Sequence, residues 1–147
     1  MENARQISQK LMPPLLQNHG LSVAMEDYLS RLAKTSEVNF CFESTGKFAS
    51  NPNDYEIFRI LQEFANNIIR HGNASHCTVR IAAEESDLCV EIIDDGTKFD
   101  FWALSSSSRG AGISNIVSRL NVAKAGLQQI EVLSGNHFIL TANRIRC

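Results

Sequence analysis

Residues 53–72 read NDYEIFRILQEFANNIIRHG, and this stretch decides the fold. Ile57, Ile60, Leu61, Phe64 and Ile68 recur at helical spacing, so the segment is an amphipathic helix with one apolar stripe laid on a core. Asn53, followed three residues later by Glu56, predicts a capping box in which each side chain satisfies an orphan backbone N–H. Gly72 predicts the C-terminal stop. Away from the apolar stripe, Glu63, Asn67 and Arg70 fall on a narrow polar stripe, with His71 beside it.

Downstream of this helix, Thr78–Ala83 and Leu88–Ile93 read as strands joined by the charged turn EESD, which predicts an antiparallel hairpin. Asp100 to Arg109 is loop-like and holds four consecutive serines, Ser105 to Ser108. A helix is expected from Gly110 to Lys124. Two closing strands follow, Leu127–Leu133 and Phe138–Asn143, turning at Gly135-Asn136. Upstream, Val38–Phe42 (VNFCF) has the aromatic and β-branched content of a strand, and ESTGKFASNPN reads as a polar loop. Ser22 to Lys34 is a helix with Met25, Tyr28, Leu29 and Leu32 on one face, and residues 4–18 are helical but interrupted at Pro13-Pro14. Helices on one face of a mixed, mostly antiparallel sheet make a two-layer α/β sandwich, α+β in class.

At 147 residues the chain is long enough to bury a core without metal or disulfide staples. Its net charge of -2 argues against a broad nucleic-acid footprint and against an anionic membrane partner. No apolar run is long enough to span a bilayer, and MENARQISQK lacks the apolar core of a signal peptide. The segment is therefore expected to bind no nucleic acid, to make no membrane contact and to reside in the cytoplasm, within a parent protein that can itself be membrane-anchored. Cys41, Cys77, Cys89 and Cys147 show no metal-knuckle or Cys-x-x-Cys spacing, and Cys41 and Cys89 stand in strand-like runs. They are expected to be reduced, buried thiols.

Three constellations carry chemistry. In the first, Glu63-Phe-Ala-Asn66-Asn67-Ile-Ile-Arg70-His71, an Asn amide oxygen is a hard ligand suited to Mg2+. A nearby Glu can orient or deprotonate a nucleophile, and Arg and His can neutralise phosphate. Taken alone the stripe reads as a solvated helix face, whose polar pairs are worth only about 0.2–0.5 kcal/mol each. In the second, Ile92-Ile93-Asp94-Asp95-Gly96-Thr97-Lys98-Phe99-Asp100, an apolar strand ends in two carboxylates and a glycine. A partly buried carboxylate there needs a donor, and the exocyclic amino group of adenine is one, with Gly96 letting a flat base approach. Alone it reads as an Asp-Gly turn. The third is Arg109-Gly110-Ala-Gly112-Ile-Ser-Asn115-Ile-Val-Ser-Arg119, where glycines leave bare N–H groups at a helix N-terminus that favours an anion. A lone Gly-x-Gly is weak; the absence of a Gly-Lys-Ser/Thr loop argues against a P-loop, and no strand directly precedes the glycines as a dinucleotide fold requires.

The order and spacing of the three say more than any one. Glu-x-x-x-Asn-x-x-Arg-His, then Asp-x-Gly, then Gly-x-Gly-Ile-x-Asn-Ile-x-x-Arg resembles the gyrase, Hsp90, histidine kinase and MutL ATPase superfamily over roughly residues 55–142. Within it the pattern is similar to sensor histidine kinases of the nitrate-sensor type. Leu11-Met-Pro13-Pro14-Leu15-Leu16, followed by Gly20-Leu21 and Ala24-Met25, resembles the end of that subfamily's dimerisation and phosphoacceptor region. The resemblance implies a Bergerat-type ATP-binding fold over residues 35–147, preceded by a helical segment over 1–34 that ends the phosphoacceptor region. It also implies ATP and Mg2+ as cofactors.

Residue by residue, the resemblance implies that Asn67 ligates Mg2+ and that Glu63 is the acid/base residue positioning the phosphoacceptor or a water. Arg70 and His71 would contact phosphates, and Asp94 would accept from the adenine amino group beside Gly96. Gly110 and Gly112 would line the phosphate end, with Ser105–Ser108 as a short lid. Lys98 stands where the family pattern has a second glycine; it either partly blocks the pocket or adds a cation near the phosphates. A left-handed backbone would strain lysine by roughly 1–2 kcal/mol, so the local backbone is expected to differ from the family's. None of His19, His71, His76 and His137 lies in an N-terminal helical His-Asp or His-Glu context. The implied function is therefore transfer of the ATP γ-phosphoryl group to a phosphoacceptor histidine helix outside this chain, with a response regulator as partner. The alternative is a nucleotide-binding or degenerate partner-binding module of the same superfamily, anti-sigma-factor-like or a phosphotransfer partner and without autokinase chemistry, which Lys98 and the missing phosphoacceptor favour.

Overall fold

A computed structural model describes residues 13–46, 50–84, 86–106 and 111–143. Helix α1 (Pro14–His19) makes the fresh start expected after a proline pair, with Pro14 in the first turn where its missing N–H costs nothing. Helix α2 (Leu21–Thr35) follows at once and buries Leu21, Ala24, Met25 and Leu29. Strand β1 (Asn39–Gly46) leads to helix α3 (Asp54–His71), then strands β2 (His76–Ala83) and β3 (Asp87–Asp94). A short helix α4 (Phe101–Ser105), helix α5 (Ala111–Ala123) and strands β4 (Gly126–Ile130) and β5 (Asn136–Asn143) complete the order.

The sheet runs β1-β2-β3-β5-β4. β1 pairs with β2 in parallel, and the other three pairings are antiparallel. The inward positions alternate as a half-buried sheet requires: Val79 and Ile81, Val90 and Ile92, Phe138 and Leu140 are all buried with residues of α2, α3 and α5 in one cluster. The other face carries a polar string in which Arg80 pairs with Glu43 and Glu91, and Glu91 meets His137. The expected two-layer sandwich, helices against one face of a mixed sheet, is the observed one.

Local chemistry moves several boundaries. The start of α3 is capped two residues upstream of the expected box. Asn51 Oδ1 accepts from the Asn53 N–H at 3.1 Å, and Asp54 Oδ2 accepts from the Asn51 N–H at 3.1 Å. Asn53 makes no side-chain cap, and Glu56 instead pairs with Arg119 at 2.9 Å, tying α3 to α5. Gly72 is right-handed, φ −79°, and the left-handed turn falls on Asn73 at φ 51°. The expected polar loop after Phe42 begins later, because Glu43–Gly46 stay paired to Arg80–Ala83. β4 ends at Ile130 rather than Leu133, because Glu131 and the Val132 carbonyl turn to meet Lys98. Phe101–Ser105, read as loop, is helical because Asp100 caps it, accepting from the Trp102 and Ala103 N–H groups at 3.1 and 3.2 Å. The cysteines also differ from expectation. Only Cys77 is buried; Cys41 and Cys89 occupy outward positions of their strands and are exposed, and Cys147 lies outside the described residues.

Candidate functional site

The C-terminal half of α3, the end of β3, the Thr97–Phe101 segment, α5 and the start of β5 enclose one cavity of about 420 Å³. That is within the range that holds a nucleotide-sized ligand. Its floor is aromatic. Phe138 lies 5.1 Å from Phe64, 5.8 Å from Phe99 and 5.8 Å from Phe101, centroid to centroid. Such pairs are worth roughly 0.5–1.5 kcal/mol each beyond their burial, which makes a rigid platform beside a flat ligand. Ile68, Ile113 and Ile116 add aliphatic wall.

Onto this apolar lining the fold projects a few polar groups. Asp94 ends β3 and is 6% exposed. Burial raises its pKa, and the neighbouring Asp95 adds to the rise, while the Gly96 N–H and Asn136 oppose it. The Gly96 N–H and Asn136 Nδ2 donate to the same oxygen, Oδ1, at 2.9 and 3.1 Å. From α3, Asn67, Arg70 and His71 line the cavity, as does Gly112 in the first turn of α5. A Cβ on Gly112 would meet Asn67 Oδ1 at 2.8 Å, so a glycine there lets the helix close onto that amide. Arg70 and His71 occupy the last turn of α3, where positive charge also suits the helix dipole.

Other expected residues sit elsewhere. Glu63 is one turn before Asn67 on the same stripe but off the cavity wall, half-buried toward Tyr28, whose hydroxyl pKa its charge helps to raise after burial, the larger cause. Gly96 is also off the wall. A Cβ there would strike the Gly72 carbonyl oxygen at 2.1 Å, so the close approach it permits is that of backbone, not of a base. The same carbonyl accepts from the Thr97 N–H at 2.6 Å, which joins the end of α3 to the β3 exit. Lys98 neither blocks the cavity nor points a cation into it. Its Nζ donates to Glu131 Oε1 and to the Val132 carbonyl, both at 2.6 Å. Its φ is not positive, so the lysine sits there without left-handed strain. Gly110, Ser107 and Ser108 lie outside the described residues; Ser105 and Ser106 close α4 by donating back to the Trp102 carbonyl.

Sequence reasoning missed Asn136, Gln129 and the aromatic floor. Asn136 is 2% exposed, and a buried amide at a strand start carries a signal only once its partners are known.

The donor set suits Mg-ATP. Among the described residues no group of three or more His, Cys, Asp or Glu can hold a metal by itself. Asn67 offers an oxygen beside a helix N-terminus, and Asp94 offers an acceptor inside an apolar slot.

Known proteins agree with the nucleotide part of this reading alone. The family described as histidine kinase-, DNA gyrase B-, and HSP90-like ATPase matches residues 53–142, more than half of the chain. The chain is 29% identical to the sensor histidine kinase LiaS of Bacillus subtilis over 68% of its own length and 28% of that protein's. It is 28% identical to the sensor histidine kinase ComP of the same organism, over 91% of this chain and 18% of the relative. It thus spans less than a third of each of these relatives. The fold superposes on the Acinetobacter baumannii histidine kinase AdeS with a TM-score of 0.69 and 15% identity, covering 99% of this chain and 77% of that one.

Proposed function

We propose that this chain, which belongs to the histidine kinase-, DNA gyrase B-, and HSP90-like ATPase family, is the ATP-binding catalytic domain of a sensor histidine kinase that works with Mg2+. Its γ-phosphoryl acceptor is a histidine on a helix outside this chain, and a response regulator takes the group onward. One observation carries the reading: a single apolar cavity is lined both by the buried carboxylate Asp94 and by the Asn67, Arg70, His71 and Gly112 group.

Bound ATP supplies the transferable phosphoryl group, and Mg2+ neutralises its charge. The chain's part is positioning and electrostatics. Asp94 accepts from the adenine amino group, and the Phe64, Phe99, Phe101 and Phe138 cluster excludes water beside the base. Asn67 ligates the metal. Arg70 and His71 hold phosphate oxygens, and Gly110 and Gly112 present backbone at the phosphate end. Glu63, on the same helix stripe, orients the incoming imidazole and holds its proton. We place Lys98 outside the ligand set, as a brace for the loop after β4. With Lys98 turned away, it no longer favours a binding-only module. Pro13-Pro14 and the Gly20-Leu21 and Ala24-Met25 pairs after it support the nitrate-sensor-type assignment, while α2 shares its core with the sheet across the division near residue 35.

Among the described residues no helix is long and apolar enough to cross a membrane, which suits a catalytic domain on the cytoplasmic side of a larger sensor. The test is calorimetric titration of ATP into the chain, with and without Mg2+, using Asn67→Asp and Asp94→Asn. Metal-dependent binding that both substitutions weaken supports the reading. Equal affinity in all three proteins overturns the site, and no binding by the wild type overturns the function.

A further inference from the structure

Thr97, Phe99 and Phe101 have no strand partner, yet their backbone is bonded at alternate residues by two side-chain amides from the β4–β5 hairpin. Asn136 Nδ2 donates to the Thr97 carbonyl at 2.9 Å, and its Oδ1 accepts from the Phe99 N–H at 3.1 Å. Gln129 Nε2 donates to the Phe99 carbonyl at 2.7 Å, and its Oε1 accepts from the Phe101 N–H at 2.9 Å. Asn136 has a further duty. Its second amide hydrogen goes to Asp94 Oδ1, so both of its donors are committed inside the protein. The Gly96 N–H takes that same oxygen, and Asp94 Oδ2 receives neither donor.

We propose that Asn136 is a specificity-determining positioning residue: it holds the Asp94 carboxylate by one oxygen so that the other faces the nucleobase as an acceptor only. This rests on the nucleotide-binding reading above and extends it to the choice of base. A carboxylate is two-fold about its last torsion, and a pair of donors on one oxygen breaks that equivalence before any ligand arrives. A 6-aminopurine then meets a fixed acceptor with its N–H donor. A 6-oxopurine presents a carbonyl to the same oxygen in a buried slot, leaving two acceptors unpaired. Without the Asn136 donor only the Gly96 N–H still holds Oδ1, so the carboxylate turns or takes up a proton more readily and tells the two purines apart less well.

The test titrates Mg-ATP and Mg-GTP into the wild type, Asn136→Asp and Asn136→Ala, comparing the ratio of the two affinities. Asn136→Asp is nearly isosteric and keeps the acceptor for the Phe99 N–H while losing the donors to Asp94 and to the Thr97 carbonyl, whereas Asn136→Ala loses all three bonds. The wild type is expected to prefer ATP, and both variants to lose at least about tenfold of that ratio. Affinities that fall in parallel, with the ratio kept, reduce Asn136 to a brace and overturn the proposal alone. A wild type that binds neither nucleotide overturns the nucleotide-binding reading and this inference with it. Should the variants fail to fold, the wild-type side-chain amide of Asn136 decides by NMR. It is expected to be protected from solvent exchange and to shift with Mg-ATP; a freely exchanging amide overturns the proposal.

Discussion

Gly112 and Asn67 are in contact: a Cβ on the glycine would lie 2.8 Å from the asparagine's Oδ1 and 3.1 Å from its Nδ2. The first turn of α5 therefore rests on the amide proposed to hold the metal. Gly112→Ala sets two effects against each other. Alanine improves helix propensity by up to about 1 kcal/mol, while overpacking costs about 1–3 kcal/mol where the neighbour cannot move. Here the neighbour is a side-chain end, so it moves. The expected outcome is a melting temperature within a few degrees of wild type and a Mg-ATP affinity at least about tenfold weaker by calorimetry.

Asp94→Asn separates stability from binding. Because burial raises the Asp94 pKa, the folded protein holds that proton more tightly than the unfolded chain does. Stability is therefore lost as pH rises through the interval between the ordinary carboxylate value and the raised one, and the loss persists at neutral pH. The variant should melt higher than wild type at pH 7, the two converging as both Asp94 states protonate near pH 3.8. Mg-ATP binding should weaken in the variant, and in the wild type it should weaken on acidification before an ordinary aspartate would titrate. A variant that melts lower at neutral pH contradicts the assignment of burial as the cause.

Lys98→Ala should leave Mg-ATP affinity within about threefold, because the ammonium is turned to Glu131 and the Val132 carbonyl. The lost pair involves a side chain 43% exposed and one 91% exposed. Such pairs are worth about 0–1 kcal/mol, so stability changes little. A large loss of affinity would return Lys98 to the phosphates.

Thiol labelling checks the strand faces. In a Cys147→Ser background, Cys41 and Cys89 should react with an aromatic disulfide reagent in the folded state. Cys77 should react only on unfolding, since it is buried and its thiol is pushed up to about 12, chiefly by burial. Three equally fast thiols would contradict the register of β2.

The displaced helix cap has its own test. Asn51→Ala should cost about 1 kcal/mol by chemical denaturation, in the range for losing a cap. Asn53→Ala should cost less, since its amide reaches only the Asn143 carbonyl at the surface. The reverse order would restore the expected box.

Much of this protein was legible in the order of its residues, because periodicity is local. The stripe Ile57, Ile60, Leu61, Phe64 and Ile68 is buried as read, and the β2–β3 hairpin forms where alternation puts it; the closing β4–β5 pair forms too, but β4 stops at Ile130 and Asn136, read as turn, belongs to β5. Asn67, Arg70, His71, Asp94 and Gly112, far apart in the chain, do line one cavity. What failed, failed where a partner distant in sequence decides. Asn51 holds the cap, and Glu56 is paired instead with Arg119, 63 residues away. Cys41 and Cys89 face out because strand register, not strand composition, sets the side.

The order of the longer elements, the apolar faces and the motif set were legible from residues a few positions apart, since each depends on near neighbours; the short α4 was not. Only the tertiary structure decided which way Lys98 turns, that Gly96 admits the Gly72 backbone, and that Asn136 grips Asp94 across 42 residues of chain. The physical reason is that a hydrogen bond is directional and short. Whether a donor meets an acceptor depends on ångström-scale placement of separate elements, and residue type alone does not carry that placement.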